Sequence, residues 1–163
     1  MSVVAVAPVI DVRVQAEDFD VGAEMAGLER LGGGAVGSFT GIVRGGAGLT
    51  ALVLEHHPAM THKALTRMAE DACGRWPLLG VTLIHRYGAL VPGARIVFVG
   101  TASAHRAAAL DATMFLIDWL KTRAPFWKQE RFADGRTAWV EARSADDTAA
   151  KRWDADKGDV MDG

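Results

Sequence analysis

The residues of this chain best suited to chemistry are cations, beginning with His105 and Arg106. They follow an apolar strand-like run and fall in the first turn of a helix-like segment. A helix start carries unsatisfied N–H groups and partial positive charge, so cations are disfavoured there. The pair makes sense if an anion occupies the site, held by amides, a guanidinium fork and an imidazolium. Taken alone, a solvated arginine and a helix-capping histidine would look the same. Lys121, Arg123 and Lys128 surround Pro125-Phe126-Trp127. Lys121 sits at a helix end, where a cation is favoured on dipole grounds alone. Lys128 follows the aromatic pair in a strand-like run, where partial desolvation would make it a usable acid or base. A lysine stem laid over Trp127 is the plainer alternative. Glu130, two residues on, shares the face of Lys128 and is placed to pair with it or orient it. Arg44 closes a glycine-containing strand ahead of the loop Gly45–Gly48, where it is a phosphate or carboxylate clamp or a surface arginine.

Other chemistries find less support. His56, His57 and His62 surround the start of a helix, but their spacing is not a zinc motif and no cysteine pair accompanies them. A zinc hydrolase is carried as a rival on those three residues. Ser38, Thr40 and Ser103 lack a nucleophile-elbow context, and the glycine loop lacks the pattern of a nucleotide P-loop. The five tryptophans are dispersed, as core or interface anchors rather than a base-stacking platform. With 18 basic and 20 acidic residues the net charge is −2, which gives no general attraction to nucleic acid or an anionic membrane. Any anion site is therefore local. The single cysteine, Cys73, excludes an intrachain disulfide and fits a reducing cytoplasm. No apolar run approaches the roughly 20 residues of a membrane helix. The apolar start MSVVAVAPVIDV has no basic leader, so a signal peptide is not expected. Spacing alone thus points to a small anionic ligand without naming it.

The elements that must position these cations can be read from periodicity. Strands are expected at 9–14, 35–44, 49–56, 81–88 and 95–103, the last almost wholly apolar and hence central. A short helix capped by Asp18 or Asp20 buries Val21, Met25 and Leu28. Pro58 opens a second helix with an apolar stripe of Met60, Ala64, Leu65, Met68 and Ala72. Ser103 is expected to cap a third helix running to about Lys121, with Ala107, Leu110, Met114, Ile117 and Leu120 buried. The run 126–132, an Asp134-Gly135 turn and 136–142 read as a β-hairpin, followed by a terminal helix over 146–153. Without strict βαβ alternation the class is α+β. One domain is expected over 1–153, with a disordered tail at 154–163.

Six runs carry a resemblance: VGSFTGIVR (36–44), LEHHPAMTHKAL (54–65), VTLIHRYGAL (81–90), IVFVGTASAHRAAAL (96–110), FLIDWLKTRAPFWKQE (115–130) and WVEARSADDTAAKRW (139–153). Together they resemble the large subunit of molybdopterin synthase from about residue 9 to Trp153. The resemblance implies an α/β hammerhead fold: a mixed, largely antiparallel sheet flanked by helices, with a β-hairpin subdomain. It implies a homodimer within a heterotetramer, each large subunit binding a small ubiquitin-like sulfur carrier whose Gly-Gly tail ends in a thiocarboxylate. The implied reaction is sulfur transfer to cyclic pyranopterin monophosphate, forming the dithiolene of molybdopterin in the cytoplasm, with no cofactor and no metal. Lys121 and Lys128 match the catalytic lysines. Ile42, Val43, Arg44, His105, Arg106, Lys121, Lys128, Gln129, Glu130 and Arg143 match substrate-binding positions. One departure is the short glycine-rich loop after Arg44, where family members often carry a longer one. A non-catalytic scaffold for a ubiquitin-like partner or a phosphorylated metabolite is the alternative from a different class.

Overall fold

The computed structural model describes residues 6–140 and 144–154, and the architecture is α+β. Twelve elements follow one another among these residues: β1 (Val9–Gln15), α1 (Val21–Glu29), β2 (Ala35–Ile42), β3 (Leu49–His56), α2 (Pro58–Arg75), β4 (Leu78–Arg86), β5 (Gly88–Leu90), β6 (Arg95–Ser103), α3 (Arg106–Thr122), β7 (Phe126–Phe132), β8 (Thr137–Val140) and α4 (Ser144–Lys151). They build two four-stranded sheets, ordered β1-β4-β6-β2 and β5-β3-β7-β8. Only β1 and β4 pair in parallel; all other pairings are antiparallel. The expected hairpin, β7–β8, joins β3 and β5 as half of the second sheet.

Alternation along β4 sorts side chains to opposite faces of the first sheet. Val81 and Leu83 pack with Leu65, Ala69, Ala72, Ala112 and Leu116, beneath α2 and α3. Ile84 packs with Phe98, Phe19 and Leu28, beneath α1. Asp20 caps α1, its carboxylate accepting from the Ala23 N–H at 3.0 Å. A third small cluster of Val43, Leu54 and Leu90 closes the second sheet.

The stripe expected for α2 holds at Ala64, Leu65, Met68 and Ala72 and fails at Met60, whereas α3 sits in a different phase from the one expected. In α2 the buried line is Thr61, Leu65, Ala69 and Ala72, and Met60 is 61% exposed. Thr61 is accommodated because its hydroxyl donates to the His57 carbonyl at 2.8 Å and lies 3.0 Å from His56 Nδ1. In α3 the buried residues are Ala109, Ala112, Thr113, Phe115, Leu116 and Asp118. Leu110 and Met114, expected inside, are 59% and 43% exposed, and Ala107 is exposed too. Close approach decides this. A Cβ on Gly37 of β2 would lie 2.8 Å from the Ala109 carbonyl oxygen, so only a face of small residues lets the helix backbone settle on the sheet. The helix cap also differs. Ser103 is the last residue of β6 and donates to the Pro77 carbonyl at 2.8 Å, while the cap position belongs to His105, whose side chain makes no capping bond.

The described C-terminal segment is clasped onto α2 and α3. Trp153 donates from Nε1 to the Asp118 carboxylate at 2.7 Å, and Arg152 reaches the same oxygen at 3.0 Å. Arg75 donates to the Trp153 carbonyl at 3.1 Å, and the indole meets Trp76 and Phe115 edge-on. Asp118 is 6% exposed, so removing Trp153 would take one of the two donors from a buried carboxylate oxygen and leave it to Arg152 alone. Trp153→Ala is expected to cost about 2 kcal/mol, below the fully buried range because the ring is half-buried; chemical denaturation measures it. Residues 155–163 lie outside the described residues.

Candidate functional site

The helix α3 sets the geometry of the cations. His105 caps its N-terminus and Arg106 is its first residue, whereas Lys121 lies in its last turn. The 15-position separation of Arg106 and Lys121 spans about 22 Å at helical rise. The helix runs back along β2: Gly34 lies against Ala104, and Gly37 against Ala109 and Thr113. Its C-terminus therefore approaches the far end of β2, where Ile42 pairs with Arg95. Arg44 leaves that end two residues later. Within one chain, Arg44 and Lys121 thus share one end of the first sheet, and His105 and Arg106 occupy the other.

The segment before Arg44 is fixed by backbone bonds. The Val43 N–H donates to the Ala94 carbonyl and the Val43 carbonyl accepts from Gly93, both at 2.9 Å. Val43 is buried, while Ile42 and Arg44 are exposed. Beyond them the loop turns through Gly46, Ala47 and Gly48, all at positive φ, a conformation that favours glycine. The Gly48 carbonyl accepts from Ala133 at 2.9 Å, tying the loop to the β7–β8 turn.

Lys128 lies on β7 opposite Leu54 of β3, and Glu130 opposite Leu52. Directly opposed residues share a face, so Lys128 and Glu130 stand on the same side as the fully buried Leu54, as their spacing implied. Both are half-buried, and so is Gln129, which faces the other way and accepts from Arg131 at 3.4 Å. At the head of β7, Phe126 stacks on His85 with ring centroids 3.6 Å apart. His85 is the last fully interior residue of β4, and burial drives its pKa from 6.5 to about 4, with nearby Lys128 and His56 adding to the depression. His56 is also lowered, by burial and then by His57. The zinc-type trio is dispersed: His56 meets Thr61, His57 lies edge-on to Trp127, and His62 Nε2 lies 3.1 Å from the Val12 carbonyl. Arg143 lies outside the described residues.

The arginines divide into two sets. Arg13, Arg75, Arg86, Arg95, Arg123, Arg136 and Arg152 are each held by a carboxylate. Among the described residues, by contrast, the side chains of Arg44, His105, Arg106 and Lys121 engage no hydrogen-bond or ion-pair partner, a condition they share with Arg30, Lys63 and Arg67. Unneutralised cations suit a small polyanion. Sequence reasoning missed the His85–Phe126 contact. The available signal was that His85 continues the inward alternation of Val81 and Leu83.

The class defined so far is an α+β chain with two largely antiparallel sheets and several unpaired cations. Comparison with known proteins narrows it. The family model described as MoaE protein matches residues 14–123. A molybdopterin synthase catalytic subunit from Mesorhizobium japonicum is 53% identical over 146 residues, covering 87% of this chain and 92% of that one. Among solved structures, a molybdopterin biosynthesis MoaE protein from Burkholderia ambifaria superposes with TM-score 0.76 at 44% identity, covering 89% of this chain and 98% of that one. A Helicobacter pylori chain, solved in a complex of subunits 1 and 2 of molybdopterin-converting factor, has TM-score 0.68 at 19% identity over 83% of this chain and 92% of its own, a likeness of fold alone. The chain belongs to the MoaE family, the catalytic subunits of molybdopterin synthase. Its activity is that of a sulfur-transferring enzyme of molybdenum cofactor biosynthesis, which removes the non-catalytic scaffold from consideration.

Proposed function

We propose that two copies of this chain pair so that Arg106 and His105 of one face Lys121, Lys128 and Arg44 of the other. The observation that carries this reading is the exposed stripe of α3. Arg106, Leu110, Met114 and Lys121 fall within one side of the helix, with the two cations at its ends and the two exposed apolar residues between them. A twofold axis that packs this stripe against its copy in antiparallel fashion buries Leu110 and Met114. It also brings each Arg106 near the partner's lysine end. A gap of about 22 Å within one chain becomes a composite pocket between two.

In that pocket the phosphate of cyclic pyranopterin monophosphate binds Arg106, His105 and Arg44, with Ile42 and Val43 shaping the wall. Gln129, Glu130 and Arg143 complete the contacts. A small ubiquitin-like carrier docks beside the edge strand β8, where Trp139 and Val140 are exposed, and threads its thiocarboxylate tail toward the basic pocket. The two-subunit complex of the Helicobacter pylori chain supports such a partner. Sulfur attacks the pterin side chain as the cyclic phosphate opens, while Lys121 and Lys128 move protons and stabilise developing charge. Hydrolysis of the acyl link frees the carrier. The whole assembly is a heterotetramer working in the cytoplasm. No helix of the described residues is long and apolar enough to cross a membrane.

Reconstitution tests this directly: purified chain, thiocarboxylated carrier and precursor, assayed for the dithiolene pterin. Arg106→Ala is expected to weaken precursor binding by about 10- to 100-fold, the worth of a charge-assisted contact to phosphate. Calorimetry with the precursor alone reads that change, and unchanged affinity would rule out the phosphate contact.

A further inference from the structure

Among the described residues, His85 is an interior titratable group near Lys128 that the reaction above does not use. It stands where the chain leaves the first sheet: β4 ends at Arg86, and β5, beginning at Gly88, belongs to the second. The imidazole is 6% exposed. Nδ1 lies 2.8 Å from the Arg86 carbonyl. A carbonyl only accepts, so Nδ1 carries the proton and Nε2 is left with a lone pair. One ring face is covered by Phe126, with planes only 15° apart. Phe126 precedes Lys128 by two residues and shares its face of β7. Opposite Phe126 in the ladder is His56, its ring 5.6 Å away. Lys128 and His56 both lie close enough to act electrostatically on His85.

A phenylalanine or leucine would fill this interior position without the cost of burying a polar ring. Resting on the assignment of Lys128 as a catalytic residue, we propose that His85 is its positioning residue: stacked on Phe126 and fixed in one tautomer, it sets the lysine-bearing strand against the first sheet and offers the ammonium an uncharged acceptor. The stack alone would fix the strand. The acceptor is what a phenylalanine cannot supply, and this separates positioning from plain packing.

The test uses the reconstituted synthase, with His85→Phe and His85→Gln beside Lys128→Ala. His85→Phe keeps an aromatic ring against Phe126 and removes the acceptor; His85→Gln keeps an acceptor and removes the ring. The expected result is a kcat at least tenfold lower in His85→Phe, with KM for precursor and carrier changed less than twofold, and partial recovery of kcat in His85→Gln. A fully active His85→Phe alongside an inactive Lys128→Ala overturns the proposal and leaves the catalytic lysine standing. A fully active Lys128→Ala removes the reading on which the proposal rests. Nitrogen NMR of the unsubstituted chain supplies a check that needs no variant. At pH 7 the His85 ring should show a protonated Nδ1 and a bare Nε2, and the opposite tautomer or an imidazolium would overturn the assignment.

Discussion

Lys121→Ala is expected to lower dithiolene formation by at least about 10²-fold, the lower range for loss of a positioned acid or base, with the melting temperature almost unchanged. Lys121 is exposed in the last turn of α3 and has no side-chain partner among the described residues. Its removal sacrifices only a favourable interaction with the helix dipole, worth a few tenths of a kcal/mol. A large loss of rate on an intact fold therefore reports chemistry. The same variant tests the composite pocket. In a mixed dimer of Lys121→Ala with Arg106→Ala chains, one of the two sites lacks both residues and the other retains both. Mixed dimers isolated with two affinity tags should thus recover about half the parent rate, by the symmetry of two equivalent sites. Lys121→Ala mixed with Lys128→Ala is the control. Those lysines come from the same chain in each site, so every site is missing one and no activity returns. Failure of the first mixture to recover would place Arg106 outside the pocket that Lys121 serves.

The sequence carried the strands of this fold better than the phase of α3, and the reason is physical. The run Arg95–Ser103 is apolar at both alternations because β6 is covered on both faces, by α1 and by α3. Burial on both sides leaves a plain composition signal. The helix α3 misleads because the usual rule places large apolar residues inside. Here the sheet beneath presents Gly37, and the helix turns Ala109, Ala112 and Thr113 toward it, leaving Leu110 and Met114 outside. In the proposed pairing those two residues face a second copy of the chain. The site divides in the same way. Of the proposed site, His105 and Arg106 stand out in the sequence as cations at a helix start, where the dipole disfavours them, whereas Arg44 by itself reads as a surface arginine. The shared face of Lys128 and Glu130 followed from strand periodicity alone. His85 was not legible as a neighbour of Lys128, because the contact joins β4 to β7 across two sheets, and no local pattern encodes a pairing over that separation.

Acid is expected to destabilise this chain well before its carboxylates titrate, and His85 is expected to be a principal cause. The groups facing its ring are Lys128 and Phe126 from β7 and His56 from β3. Burial, reinforced by the positive charge of Lys128, holds the folded-state pKa near 4 against 6.5 for the free side chain. Above pH 6.5 the ring is neutral in both states and contributes no pH dependence. As pH falls through that value the unfolded chain takes up a proton that the folded chain refuses, so unfolding becomes progressively more favourable. The effect is complete near pH 4, where the folded ring also titrates, and amounts to about 3 kcal/mol over the interval. His56 shifts in the same direction and adds to the loss. Asp18 and Asp134 are held below the usual carboxylate range by backbone hydrogen bonds and arginine partners, so their contributions fade only at lower pH. Urea denaturation at pH 7.5 and pH 4.5 measures the difference. In His85→Phe most of it should disappear, because a phenylalanine takes up no proton in either state. A parent chain equally stable at both pH values would mean that the imidazole is charged or solvated in the folded protein, and that β7 is not held against the first sheet by a neutral stacked ring.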